Sequence, residues 1–87
     1  MAYRHVLDYE VSEAILSISR LQREELVVIF RLLANDPFLQ GDSSFRDTLG
    51  RQIQKRRFGR WCVSYWTDHA VSEVRILGVQ QISRRRA

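Results

Sequence analysis

At 87 residues the chain holds one domain and not two, and a domain this small buries a modest share of its surface. Hydrophobic residues at 45% and charged residues at 28% are those of a globular protein and exclude disorder throughout; the single cysteine, Cys62, excludes an internal disulfide or a cysteine-rich zinc site. The net charge of +4 is unevenly spread: residues 1–50 balance to −3, whereas residues 51–87 set nine basic side chains against Asp68 and Glu73, a balance of +7.

Tyr3 to Glu10 alternates, with Tyr3, His5, Leu7 and Tyr9 on one side, as a pleated strand does. Ser12 offers an N-cap for a short first helix through Ala14, Ile15, Ile18 and Leu21. Gln22 to Glu25 reads as a polar interruption. A second helix then runs to about Asn35 on a stripe of Leu26, Ile29, Phe30 and Leu33, at i, i+3, i+4 and i+7. Val27, Val28 and Leu32 widen that stripe, which predicts burial on more than one side. Asn35-Asp36-Pro37 ends the helix, because proline disfavours helical backbone in the residue before it.

Residues 38–50 are rich in turn formers and read as a loop, with Leu39, Phe45 and Leu49 as candidate anchors. A strand meander follows: Arg51 to Phe58, the turn Gly59-Arg60, Trp61 to Thr67, a turn at Asp68-His69-Ala70, and Ser72 to Ile82. Such short connections imply antiparallel hairpins. Alternation puts Trp61, Val63 and Tyr65 on one face, expected to be core, and Cys62, Ser64 and Trp66 on the other. The expected architecture is α+β, in the order β-α-α-β-β-β, with both helices on one face of a small, mainly antiparallel sheet. The domain spans 1–83, and 84–87 is a basic tail.

Concentrated positive charge suits a polyanion or an acidic protein partner; the plainer reading is a solvated, arginine-rich surface. Arg51, Lys55 and Arg57 share one face of the first meander strand by the two-residue period. Trp66 is the better interface aromatic, since Trp61 and Tyr65 belong to the core. Cys62 reads as a small half-buried residue rather than a nucleophile, His5 as a packing residue and His69 as a solvent-facing turn residue. Two isolated histidines make no metal site, and no cofactor is expected. No apolar run approaches a membrane span and no charged-then-apolar leader precedes the domain, so a cytoplasmic protein is expected.

The element order, the exit Leu32-Leu33-Ala34-Asn35-Asp36-Pro37, then Arg57-Phe58-Gly59, Trp61-Cys62-Val63-Ser64-Tyr65 and Glu73-Val74-Arg75-Ile76-Leu77-Gly78-Val79 together resemble the RelE/ParE superfamily of bacterial toxins. The resemblance implies the toxin of a type II toxin–antitoxin pair, of the kind associated with plasmid stabilisation, with a cognate antitoxin as partner. It implies either an RNA-binding, metal-independent endoribonuclease acting on ribosome-bound mRNA or an inhibitor of a protein target such as DNA gyrase; a binding module that kept only the fold is the third reading. In the nuclease reading Lys55 and Arg57 occupy the family's basic catalytic positions, and Arg51, Arg60, Trp66, Arg75, Arg84 and Arg85 are candidates for RNA or partner contact. The sequence departs from the nuclease pattern where an arginine is usual: Cys62 follows the aromatic of the middle strand, and Gln80 and Gln81 end the last one.

Overall fold

A computed structural model describes residues 3–82. Its elements run β1 (Arg4–Leu7), α1 (Tyr9–Leu16), α2 (Arg20–Asn35), β2 (Ser43–Arg46), β3 (Gln52–Phe58), β4 (Trp61–Asp68) and β5 (Glu73–Gln81). The basic tail of residues 84–87, with Arg84 and Arg85, lies outside the described residues.

The five strands form one sheet in the order β1-β5-β4-β3-β2. β1 runs parallel to β5, with Arg4 opposite Glu73 and Leu7 opposite Ile76. All other neighbours are antiparallel. The expected α+β layering is therefore present, with one more strand than the sequence reading provides. That strand is β2, inside the segment read as a loop. Its four residues are all exposed, so no apolar alternation marks it; it is a strand because it pairs with the free edge of β3 from Ser43–Lys55 to Arg46–Gln52. Of the expected loop anchors only Leu39 packs against the core; Phe45 and Leu49 are exposed.

The helix boundaries also differ from expectation. Asp8, not Ser12, is the N-cap residue of α1, and the break between the helices falls at Ser17–Ser19 rather than at Gln22–Glu25. Ser19 caps α2 through a reciprocal pair: its Oγ accepts from the Gln22 N–H at 3.2 Å, and its own N–H donates to Gln22 Oε1 at 3.1 Å. Two backbone donors without helical partners are thereby satisfied.

One face of the sheet is covered. Leu26, Ile29, Phe30 and Leu33 of α2, with Val11 of α1, close on Trp61, Val63, Tyr65, Val74 and Ile76. His5 packs against Phe30, ring centroids 5.6 Å apart. Val27, Val28 and Leu32 are exposed, contrary to the expected second buried side of α2; among the described residues no further element lies over that side of the helix. The clamp at the end of this layer is Glu25. Its carboxylate accepts from Arg60 Nε at 3.0 Å, from an Arg60 terminal nitrogen at 2.8 Å and from Trp61 Nε1 at 2.9 Å. The hydrogen bonds from Arg60 and Trp61 hold the Glu25 carboxyl below its ordinary value, against a smaller desolvation effect, and the same pairing raises Arg60.

Between α2 and β2 the chain crosses the inner side of β3. Gly41 lies directly against the Lys55 backbone, where a Cβ would meet the Lys55 carbonyl oxygen at 2.4 Å. Gln54 Oε1 accepts from the Gly41 N–H at 2.8 Å. Tyr65 donates to the Leu39 carbonyl at 3.0 Å, and burial, partly offset by Arg56, pushes its phenol up to about 12.

Candidate functional site

Among the described residues no helix lies over the opposite face of the sheet. Residues paired across a ladder project to the same side, so the pairing defines what this face carries. Arg57 pairs with Cys62 and Cys62 with Gln80, giving one row. Lys55 pairs with Ser64 and Ser64 with Gly78, giving the next. Trp66 pairs with Arg75 and Ile53 with Phe45. Ile53 is buried at 4% exposure yet outside the main core cluster, so this face has an apolar floor of its own. Arg56 pairs with the core residue Val63 and belongs to the inner face, where it donates to the Gln40 carbonyl at 3.1 Å.

Ion pairing sorts the expected basic residues. Arg51 precedes β3; its Nε lies 2.7 Å from Asp47 Oδ2, and its guanidinium carbon sits 5.3 Å from the Trp66 ring centroid. Desolvation raises the Asp47 carboxyl, but hydrogen bonds from Arg51 and the Leu49 N–H outweigh it and the net displacement is downward. Arg75 lies between Asp8 at 3.6 Å and Glu73 at 3.5 Å. Arg60 is held by Glu25 at the α2 side of the molecule, away from the open face. Lys55 and Arg57 are exposed, and among the described residues neither side chain is ion-paired. Lys55 Nζ stands 6.0 Å from the Phe45 ring centroid. Arg57 Nε donates to the Gly59 carbonyl at 3.0 Å, which leaves its terminal nitrogens for another acceptor. With one same-face step between them, the two residues stand about 7 Å apart along β3.

Asp42 holds this part of β3, although in the sequence it reads only as a turn former. Its N–H donates to the Lys55 carbonyl at 2.8 Å, and its Oδ2 accepts from the Arg57 N–H at 2.8 Å. The edge of β3 is thus satisfied beyond the start of β2, directly behind the two free cations. Gly59, at φ +60°, makes the turn that follows. Phe45 is a neighbour of the site that sequence reasoning misses, because it misses β2.

The arrangement can bind anions and offset developing negative charge. The neighbouring rows supply a thiol, a hydroxyl and an amide, with no histidine among them. Cys62 is half-buried beside Arg57. No cluster of three or more histidine, cysteine, aspartate or glutamate side chains able to hold a metal occurs among the described residues. None of the helices among the described residues is long and apolar enough to cross a membrane.

No protein-family model matches the sequence, and no curated protein matches it. Solved structures do match the fold. A chain of the archaeal RelE–RelB complex from Pyrococcus horikoshii OT3 superposes with a TM-score of 0.74 at 18% identity, covering 98% of this chain and 100% of that one. A chain of the toxin–antitoxin complex RelBE2 from Mycobacterium tuberculosis gives 0.76 at 20% identity, covering 93% and 92%. The isolated E. coli RelE toxin gives 0.74 at 15% identity, covering 97% and 88%. The fold is RelE-like.

Proposed function

We propose that this chain is the toxin of a toxin–antitoxin pair and that its open sheet face binds RNA phosphates through Lys55 and Arg57. The observation that carries this reading is the adjacency of two exposed cations free of carboxylate partners on the uncovered face, while Arg51, Arg60 and Arg75 are ion-paired. Two positive groups one same-face step apart suit consecutive phosphates, and Arg57 can stabilise charge on a phosphoryl oxygen. Trp66 and Arg51 add a stacked aromatic–cation pair beside them.

An antitoxin partner is supported by the outer side of α2. Leu21 and Val28 are each 64% exposed and Leu32 44%, and an apolar stripe of this kind favours a covering chain. The solved complexes with the same fold pair a RelE-type chain with an antitoxin.

A second reading, inhibition of a protein target such as DNA gyrase without RNA cleavage, is favoured by one feature. The row beside Arg57 continues as Cys62 and Gln80, which brings no further cation and no imidazole to the phosphates. The deciding experiment is induction in a host cell followed by ribosome-dependent cleavage of a reporter mRNA. Growth arrest with cleavage supports the nuclease. Arrest without cleavage leaves the protein inhibitor, and absence of arrest removes the toxin reading.

A further inference from the structure

The open face carries a third row beyond those of Arg57 and Lys55, and this row is apolar. Phe45 of β2 pairs with Ile53 of β3. On the same face, beside the Gln54–Tyr65 pair, Ile53 stands next to Trp66 of β4. We propose that Phe45 is the stacking platform for one base of a single-stranded RNA whose phosphates lie on Lys55 and Arg57, an inference that rests on the RNA reading above.

Register puts the platform and the cations on one side of the sheet. Ser43 pairs with Lys55 and Phe45 with Ile53, so Phe45, Ile53, Lys55 and Arg57 all project to the open face. Gln54 and Arg56 pair with the core residues Tyr65 and Val63 and project to the other. Phe45 and Lys55 are diagonal neighbours on this ladder, about 7–8 Å apart. Arg57 lies one same-face step of about 7 Å further along β3. An extended strand that sets one phosphate on Arg57 and the next on Lys55 is therefore directed along β3 to the row of Ile53 and Phe45, and its following base comes over the phenyl ring.

The ring is open to receive it. Phe45 is 49% exposed and lies outside the main core cluster. Among the described residues no other aromatic ring packs on it. Lys55 Nζ stands 6.0 Å from its centroid, the outer limit of cation–π attraction, so a phosphate can draw the ammonium away from the ring. Trp66 is the less accessible aromatic of the row, because it is half-buried and the Arg51 guanidinium carbon sits 5.3 Å from its ring centroid.

The platform is also fixed in place. β2 is paired along its whole length, from Ser43–Lys55 to Arg46–Gln52. The turn after it is closed by the Asp47 N–H, which donates to the Arg51 carbonyl at 3.0 Å, and by Arg46, which donates to the Gly50 carbonyl at 2.8 Å. Ile53, 4% exposed, is the apolar neighbour opposite the ring. A side chain ordered before its ligand arrives loses little freedom on binding. Neither Phe45 nor Ile53 offers a hydrogen-bonding side chain, so a base is held here by its π-face and not read by its edge. The two cations on the same face favour a phosphodiester chain over a protein segment.

The test is fluorescence anisotropy of a labelled single-stranded RNA pentamer and of an abasic strand of the same length, against wild type, Phe45→Ile, Phe45→Trp and Arg57→Gln. The base-bearing strand is expected to bind wild type roughly fivefold to a hundredfold more tightly than the abasic one, the range that stacking of a base on an aromatic side chain provides. Phe45→Ile keeps an apolar, strand-favouring residue opposite Ile53 but removes the ring, and should remove most of that difference. Phe45→Trp should keep it, and Arg57→Gln should weaken both strands alike. Hydrogen exchange at the β2–β3 amides checks that the pairing survives each change at Phe45. A difference that persists in Phe45→Ile, or equal binding of the two strands by wild type, overturns the platform while the phosphate-binding face stands. Binding of neither strand overturns the RNA reading and the platform with it; loss of a co-expressed protein partner in Phe45→Ile would then assign the row to a protein interface.

Discussion

Glu25 and Arg60 stand on different layers of the molecule and meet in two parallel hydrogen bonds, 3.0 and 2.8 Å long, so that a helix residue holds the β3–β4 turn. The geometry is the fork-on-carboxylate pairing that arginine makes and lysine cannot. Its consequence is a pH dependence. The Glu25 carboxyl is depressed in the folded state below its ordinary 4.5, so the stability it contributes is present above that value and is lost as pH falls through the folded one. Glu25→Gln should lower the melting temperature at pH 7 and flatten its decline between about pH 5 and pH 3. Calorimetry across that range checks it; parallel curves for wild type and variant would refute the clamp.

Phe30 is 1% exposed at the centre of the α2–sheet contact. Phe30→Ala should cost about 3–5 kcal/mol, close to the whole stability of a domain this small. Denaturant titration measures it, and a cost under about 1 kcal/mol would contradict the packing described. Val28→Ser, on the exposed side of the same helix, should change stability by no more than about 0.5 kcal/mol. The same variant should weaken association with a co-expressed partner if that side is the covered one.

The inner and outer faces of the meander are legible in the sequence, because period-two alternation in Trp61–Trp66 leaves one register that buries Trp61, Val63 and Tyr65 together. The α2 stripe is legible for the same reason. β2 is not: Ser43-Ser44-Phe45-Arg46 has no apolar pattern and becomes a strand only through the edge it joins. The start of α2 carries a readable sign in Ser19 and Gln22, three residues apart, but the charged run after them masks it. On the open face, strand alternation alone places Lys55 and Arg57 side by side. That Arg51 is held by Asp47 and Arg60 by Glu25 is invisible to it, since those pairings depend on a turn and on the layer spacing.

Asp42, one residue before β2, satisfies the Arg57 N–H. Asp42→Ala should cost about 1 kcal/mol and should speed amide exchange at Arg57 while leaving exchange at Val63 and Tyr65 unchanged. Hydrogen-exchange NMR resolves these amides separately. Unchanged protection at Arg57 would show that the carboxylate does not guard that edge.

Lys55 and Arg57 are exposed, so their replacement tests function with little effect on folding. Arg57→Ala should reduce RNA binding, and reduce cleavage by a factor of about a hundred or more if the protein is a nuclease. Arg57→Lys should restore part of either, because a point charge cannot reproduce the fork. Lys55→Ala and Arg57→Ala should also flatten the salt dependence of binding, by about one unit of slope on a log–log plot for each phosphate left without its cation. Binding assays at several salt concentrations check this. An unchanged slope would place the bound anion elsewhere.

The parallel pairing of β1 with β5 sets Arg4 against Glu73, so the first strand has no neighbour until nearly the whole domain has been made. Closing a loop of that length is slow compared with forming the α1–α2 pair or the β3–β4 hairpin. During synthesis, therefore, the middle of the chain can organise early while the beginning waits for the end. The two cations of the open face belong to the part that organises early, because β5 and β4 separate β3 from the late-docking β1. A partner that engages the chain before release would meet the helices first and the completed sheet afterwards.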